Sequence, residues 1–450
     1  MQQGSQASPQ PVLSVFDAIT IMVGLVVGIG IFRTPSLVAN NVTSEWMFLL
    51  VWILGGLITL IGALCYAELS AAHPDAGGEY HFLSSAYGKR LALLFGWARC
   101  TVIQTGAIAA VAFVFGDYAN QLYSLGPNGP AIYAAASTLL IAAVNIVGTV
   151  QSKRLQILVT AIEIIAIAAI VLLGLFSGSS VAPPAPAVAP ETAALGLAMV
   201  FVLLTYGGWN ETAYLSGELK NPQRNMAKVL ITGTVILVLL YVAVNYALLT
   251  VLGLEGIRSS NAVAADMMQH VVGAWGGSLV SIAIVIAAIS TLNATAFTGA
   301  RVFYSMANDL RIGGGWMGEW NSHGKTPANA QIVQCLWALA LIAFGAGYPD
   351  GFAAMVNYTA PVFWGFMLLV AISLFVLRAR KPHHARPYKV PLYPLTPMLF
   401  TLFCGYMLYS SMMYAGKAGW IGVGVLAAGL PVLLLRKNTN CKQAVSEQAT

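Results

Sequence analysis

The sequence predicts an all-α polytopic membrane protein of twelve transmembrane helices, and three observations predict it. Of 450 residues, 58% are hydrophobic and only 8% charged, whereas soluble chains carry about a quarter charged residues. Twelve apolar runs reach the roughly 20 residues that a helix needs to cross a hydrocarbon core of about 30 Å. Lys and Arg are segregated into alternate connections, as the positive-inside rule requires.

The runs lie near 15–39, 46–70, 91–122, 131–150, 153–176, 194–218, 227–252, 273–307, 327–347, 352–378, 393–414 and 417–435. With both termini cytoplasmic, the inner connections hold Lys89, Arg90, Lys153, Arg154, Lys220, Arg224, Lys228, Arg311 and Lys325. The connection after the tenth run adds Arg378, Arg380, Lys381, Arg386 and Lys389, and the C-terminal tail adds Arg436, Lys437 and Lys442. Only Arg33, Arg258 and Lys417 fall on or near the outer side. The net charge of +6 therefore reports topology, and no nucleic-acid partner is expected. Membrane lipid is the expected surrounding, and the cytoplasmic membrane the expected location.

The five cysteines, Cys65, Cys100, Cys335, Cys404 and Cys441, show no zinc or disulfide spacing. The first fourteen residues hold no Lys or Arg and no cleavage pattern, so no signal peptide is expected. No connection is long enough for a soluble domain. A membrane-embedded enzyme would need a catalytic cluster at one depth, and none is visible. His73, His81, His383 and His384 near Asp75 and Glu79 could be read as a metal site, but Gly77-Gly78 marks a structural loop there. No metal and no cofactor are expected.

Two runs are interrupted at mid-membrane. Span one carries Gly24, Gly28 and Gly30 within seven residues, and span six carries Gly207-Gly208 followed by Trp209-Asn210-Glu211. Glycine weakens a helix through backbone entropy, and an unwound segment is tolerated at that depth only where it is shielded or lines a cavity. Close packing through small residues is the alternative for either run alone. Spans one and six, however, each begin a five-span unit, and an odd repeat inverts the second unit relative to the first. Interruptions at matching positions of two halves point to a transporter's binding site. Half-helix N-termini favour an anionic group, and unwound carbonyls favour a cationic one. An α-amino acid zwitterion carries both.

These residues carry a resemblance. Gly28-Ile29-Gly30-Ile31-Phe32, Tyr66-Ala67-Glu68-Leu69-Ser70, Pro74-Asp75-Ala76-Gly77-Gly78-Glu79-Tyr80, Tyr206-Gly207-Gly208-Trp209-Asn210, Ala300-Arg301-Val302-Phe303-Tyr304-Ser305-Met306-Ala307 and Arg386-Pro387-Tyr388-Lys389-Val390-Pro391 stand in order along the chain. Together they resemble the amino acid–polyamine–organocation superfamily, and within it the L-type amino acid transporter-like group. The resemblance implies a five-plus-five inverted repeat of the leucine-transporter type followed by two C-terminal helices. The transport core would then cover 15–378, with repeats near 15–176 and 194–378. Tails would occupy 1–14 and 436–450, and spans eleven and twelve 393–435. It implies a secondary transporter of amino acids, neutral and zwitterionic, working as a symporter or an exchanger. A polyamine or amine permease and a non-transporting amino-acid sensor remain as alternatives.

The resemblance also places the site. Carboxylate-binding amides fall on Gly28, Ile29 and Gly30, and amine-binding carbonyls on Val26, Leu204, Thr205 and Gly207, with Val27 between the two sets. Tyr206 and Trp209 would wall the pocket, and Asn210 stands where cationic-substrate members carry an acid. Thr291, Asn293 and Thr295 match positions facing the pocket or a cation-like site beside it. Two departures bear on substrate size: Ile29 replaces a Ser, and Leu204 stands where many members have a gating Phe.

Glu163 lies midway along span five, where an ionisable group is a functional candidate; a protonated packing residue is the alternative. Many relatives have a lysine there, so the sign is reversed, and Glu163 is expected to couple transport to H⁺ or Na⁺. Glu68, Glu218 and Arg301 are gating candidates, and Arg99 is expected to snorkel to the inner surface. Members that pair with a heavy-chain glycoprotein use a cysteine in the loop after span three. The loop from Tyr123 to Pro130 has none, so no heavy-chain subunit is expected.

Overall fold

A computed structural model describes residues 13–28, 30–75, 77–147, 153–176, 194–217, 219–310, 316–319 and 326–431. The chain enters its first helix, α1 (Val15–Val26), through a reciprocal cap. The Ser14 hydroxyl accepts from the Asp17 amide at 3.1 Å, and the Asp17 carboxylate accepts from the Ser14 amide at 3.1 Å. The helix stops at Val27, whose ψ of 68° leaves the helical region. A second helix, α2 (Gly30–Ala39), continues span one at an angle of 47°.

Span two is α3 (Glu45–Ala72), capped by Ser44. Its Gly55 and Gly56 leave no room for a Cβ against Val202 and Val238. Small residues thus bring α3 against the helices of spans six and seven. A short helix, α4 (Gly78–Tyr87), lies in the following connection. Span three runs through α5 (Lys89–Ala98), a π turn over Arg99–Ile103, and α6 (Gln104–Leu122). Span four is α7 (Gly129–Val147) and span five α8 (Lys153–Phe176).

Span six begins as α9 (Leu195–Thr205) and, after Tyr206 to Gly208, continues as a 3₁₀ segment, Trp209–Gly217. Next comes α10 (Pro222–Ser259), started by Pro222 in its first turn and broken at Gly253, where φ is 63°. The apolar run read from the sequence stops at 252, just before that break. The helix α11 (Val263–Val272) leads into α12 (Ala274–Leu310), then α13 (Ala328–Gly345) and α14 (Gly351–Arg380), the last capped by Asp350. Finally α15 (Leu395–Tyr414) and α16 (Gly416–Ala427) turn by 117° at Gly416.

Among the described residues, seven helices are long and apolar enough to cross a membrane, or nine if each bent pair is one span. The sequence reading of twelve exceeds this for physical reasons. Span five counts only as the shorter apolar helix Ile162–Phe176, span six is too short on either side of its break to pass by length, and α15 and α16 are separated by a sharp turn rather than a long connection. The outward faces are apolar: Leu140 is 59% exposed, Leu239 67%, Leu336 62% and Leu402 64%. Water would not tolerate such a belt, whereas lipid matches it.

The inner bundle packs α1, α2 and α9 against α3, α10 and α14. At one end, the strand-like segment before α1 meets the residue after span six: Leu13 pairs with Leu219, and the Lys220 amide donates to the Leu13 carbonyl at 3.0 Å. That end also carries α4 and is called the α4 end; the opposite end carries α11.

Candidate functional site: two facing helix breaks between ion-paired ends

The two interruptions meet. Gly208 adopts φ +100°, and a Cβ there would lie 3.3 Å from the Leu25 carbonyl oxygen at the end of α1. Only glycine combines that backbone with that contact. Across the gap, a Cβ on Gly30 would sit 3.5 Å from the Thr205 side chain, where α2 begins and α9 ends. The N-terminus of one half-helix thus faces the C-terminus of another. This juxtaposes partial positive and partial negative backbone charge within one site.

Several of the backbone groups predicted to bind substrate are engaged within the protein. The Gly28 amide donates to the Val26 carbonyl at 2.6 Å, and that carbonyl also accepts from the Tyr241 hydroxyl of α10 at 2.6 Å. The Leu204 carbonyl accepts from the Gly207 amide at 3.0 Å. Val27 is buried in the unwound stretch. Ile29 lies outside the described residues. Thr205 turns its hydroxyl back to the Phe201 carbonyl at 2.9 Å.

Tyr206 is fully buried, its ring 5.0 Å from Tyr241 and 6.1 Å from Trp52. Trp209 packs edge-on against Tyr66 at 4.8 Å and also meets Phe400. Asn210 is buried and donates to the Glu79 carboxylate at 2.8 Å. It is tied to α4 by a bond that sequence reading did not anticipate.

In α12, Asn293 accepts from Asn145 of span four at 2.7 Å, and the Thr295 carbonyl accepts from Gln104 of span three at 3.0 Å. The Thr291 hydroxyl turns back to the Ala287 carbonyl. Glu163 is 5% exposed and, among the described residues, makes no hydrogen bond. It lies within electrostatic reach of Tyr241, the residue that holds the Val26 carbonyl.

Ion pairs lie toward both ends. At the α11 end, Arg33 of α2 donates to Asp117 of span three at 3.1 Å and to Ser36 at 2.6 Å, and it pairs with Asp350 at the start of α14. At the α4 end, Glu68 takes both nitrogens of Arg378 at 2.7 and 2.5 Å and the Val390 amide at 2.7 Å, with Arg386 at 3.6 Å. Glu68 therefore finds its partners on span ten and the loop after it. Glu218 lies outside the described residues, as does the side chain of Arg301.

The expectation for Arg99 is corrected. It does not snorkel, because Glu211 lies within reach at the same depth. Its guanidinium donates to both oxygens of Glu211 at 2.8 and 2.6 Å, and to Tyr214 at 2.8 Å. The roles of Arg33, Asp117, Asp350 and Tyr241 were missed. The available signal was an ionisable group inside a span, but a sequence does not say which of them meet. No group of three or more His, Cys, Asp and Glu poised for a metal occurs among the described residues.

Comparisons with known proteins agree with this architecture. A family profile described as amino acid permease matches residues 13–431. The serine/threonine exchanger SteT of Bacillus subtilis is 29% identical, over 92% of this chain and 94% of its own length. The human b(0,+)-type amino acid transporter 1 is 28% identical, over 93% of this chain and 86% of its own. The mouse large neutral amino acids transporter small subunit 2 is 28% identical, over 94% of this chain and 80% of its own.

Proposed function

The chain belongs to the amino acid permease family, whose members are transporters and not enzymes, and from that premise we propose that it exchanges or co-transports neutral amino acids across the cytoplasmic membrane. The observation that carries this reading is the contact between the two helix breaks. Gly208 lies on the end of α1 and Gly30 on Thr205. Backbone dipoles alone can hold a carboxylate and an ammonium there, and they select for the head group that all amino acids share.

In this reading the chain has twelve spans in two inverted five-span repeats plus α15 and α16. Both termini and the α4 end are cytoplasmic, and the protein works without a heavy-chain subunit. In this reading the ion pairs toward both ends act as gates. Substrate enters when one end opens, and the amides and carbonyls now bonded to each other, Gly28 to Val26 and Gly207 to Leu204, exchange those bonds for the zwitterion.

The test is uptake of each of the twenty amino acids into proteoliposomes that contain the purified single chain. Time-dependent accumulation distinguishes a carrier from a sensor that only binds. Gly28→Leu and Gly30→Leu should reach the membrane and carry nothing; normal uptake by either removes the backbone site from consideration.

Glu163 supplies the coupling. A buried carboxylate with no counter-ion is costly, and two ligands relieve it: a proton, or a Na⁺ shared with the hydroxyls of Thr291 and Thr295. Glu163→Gln should abolish accumulation driven by an imposed pH or Na⁺ gradient while one-for-one exchange continues. Full gradient-driven accumulation by the variant makes Glu163 a packing residue.

A further inference from the structure

The ion-paired group around Arg99 adjoins a crevice that reaches Asn210, at the edge of the head-group site. Arg99 opens the π turn of span three, a distortion that recurs at functional sites. The turn leaves the Thr101 carbonyl to accept from Trp337 at 2.7 Å and Tyr358 at 3.0 Å. The Arg99 guanidinium lies 4.8 Å over the Tyr214 ring and holds Glu211 through both oxygens. Glu79 stands beside it, 3.7 Å from the guanidinium. Glu79 accepts from Tyr66 at 2.7 Å, Asn210 at 2.8 Å and Tyr214 at 3.4 Å. Two carboxylates thus share one guanidinium. Next to them lies a small crevice that also touches Asn210 and whose facing wall is apolar: Phe95, Phe363, Phe366 and Met367.

We infer that this crevice is a second station for an amino acid, on the α4 side of the central site; the inference rests on the transport reading above. The chemistry is an exchange of ion pairs. An incoming α-carboxylate takes the place of Glu211 on Arg99, where the planar guanidinium offers a two-point fit. Glu211, released, turns to the ammonium. One ion pair is broken and two are made. The two acids are suited to different parts. The Glu211 side chain is 36% exposed and free to swing, whereas that of Glu79 is 6% exposed and fixed by its three donors. Glu79 stays and keeps the pocket negative beside the ammonium. The substrate side chain lies on the aromatic wall of α14.

The position gives the station a consequence. Asn210 and Glu211 belong to the 3₁₀ segment that follows Gly208. The Glu211–Arg99 pair ties that segment to span three. A substrate that replaces Glu211 binds the released segment better than the tied one, and it shifts the population toward release by that difference. Loading from the α4 side and opening of that side are then one event.

The experiment uses the full chain in proteoliposomes of determined orientation. The probe is the tritiated amino acid best carried of the twenty, and its half-saturating concentration is measured separately from each face. Glu211→Gln keeps one neutral hydrogen bond to Arg99 but cannot pair with an ammonium. The ratio of half-saturation at the α4 face to that at the opposite face should rise about tenfold, and Glu211→Asp should recover part of it. As a second readout, equilibrium binding to the unmodified purified chain should show two sites, of which Glu211→Gln retains one. An unchanged ratio, a rise confined to the opposite face, or a single site in the unmodified chain overturns the station while leaving the transport reading intact. No transport of any of the twenty by the unmodified chain overturns the transport reading itself, and the station with it.

Discussion

The two ends of the molecule carry the same device with the signs exchanged. At the α11 end, the half-helix after the first break carries the cation: Arg33 of α2 lies between Asp117 and Asp350 on spans three and ten. At the α4 end, the segment after the second break carries an anion: Glu211 reaches Arg99 on span three, with Glu79 as the second acid. Each group is one guanidinium between two carboxylates, and each ties the free half of a broken helix to a span that is continuous through the membrane. The difference lies in burial. Arg33 and Arg99 are 6% and 12% exposed at their side chains; the acids of the α11 end are 16% and 25% exposed, and those of the α4 end 36% and 6%. At the α11 end both acids are partly buried, to similar degrees, around a buried guanidinium. The α4 end contains an acid that water does not reach and that hydrogen bonds must sustain. The lesson is that two ion-paired groups of one composition can differ in how their acids meet water.

The comparison is broken most severely at Arg33. Arg33→Met leaves Asp117 and Asp350 facing each other without a cation, and removing one member of a buried ion pair costs about 3–5 kcal/mol. A large fall in thermal midpoint in detergent is expected, whereas Asp350→Asn, which leaves the Arg33–Asp117 pair in place, should cost only about 1 kcal/mol. Equal effects of the two would mean that the group does not act as a shared guanidinium.

A smaller effect sharpens the role of the second break. Gly208→Ala places a Cβ at φ +100°, 3.3 Å from the Leu25 carbonyl oxygen, and strain of this kind costs about 1–3 kcal/mol. Slower transport with a modest loss of stability is the expected outcome. A variant that carries substrate at the unmodified rate would show that the break does not need this backbone.

The smallest effect concerns pH at the α4 end. His73 stacks on His384 at 4.5 Å. Burial, and then the neighbouring His384, Lys381, His81 and Arg386, lower its ring from 6.5 to about 4. The unfolded chain takes up a proton below pH 6.5 that the folded ring refuses until near pH 4. Stability from neutral His73 is therefore present above pH 6.5 and lost as pH falls from there toward 4. His73→Gln should flatten the fall in thermal midpoint between pH 7 and pH 5; an unaltered slope would place the acid sensitivity elsewhere.

Much of this was legible in the chain. Apolar run length located α3, α10 and α14, because a hydrocarbon solvent imposes length and composition directly on each segment. The glycines of spans one and six located the breaks, because a missing Cβ is a local property. The depth of Glu163 was legible for the same reason. Pairing was not. Arg99 looked like a snorkelling residue because nothing local shows that Glu211, more than a hundred positions away, lies within 2.6 Å. Asn210 looked like a pocket residue, and its bond to Glu79 depends on how α4 folds back beneath span six.

The sequence by itself determined an all-helical membrane protein, the positions of its two interruptions and its kinship with amino acid permeases. Solvent, helix length and backbone freedom act residue by residue and leave their mark in composition and spacing. Only the tertiary structure decided which charges meet, that Tyr241 holds the Val26 carbonyl, and that a small apolar-walled crevice lies beside Arg99. Such contacts join residues far apart in the chain, and their energies depend on distance and burial that no single segment contains.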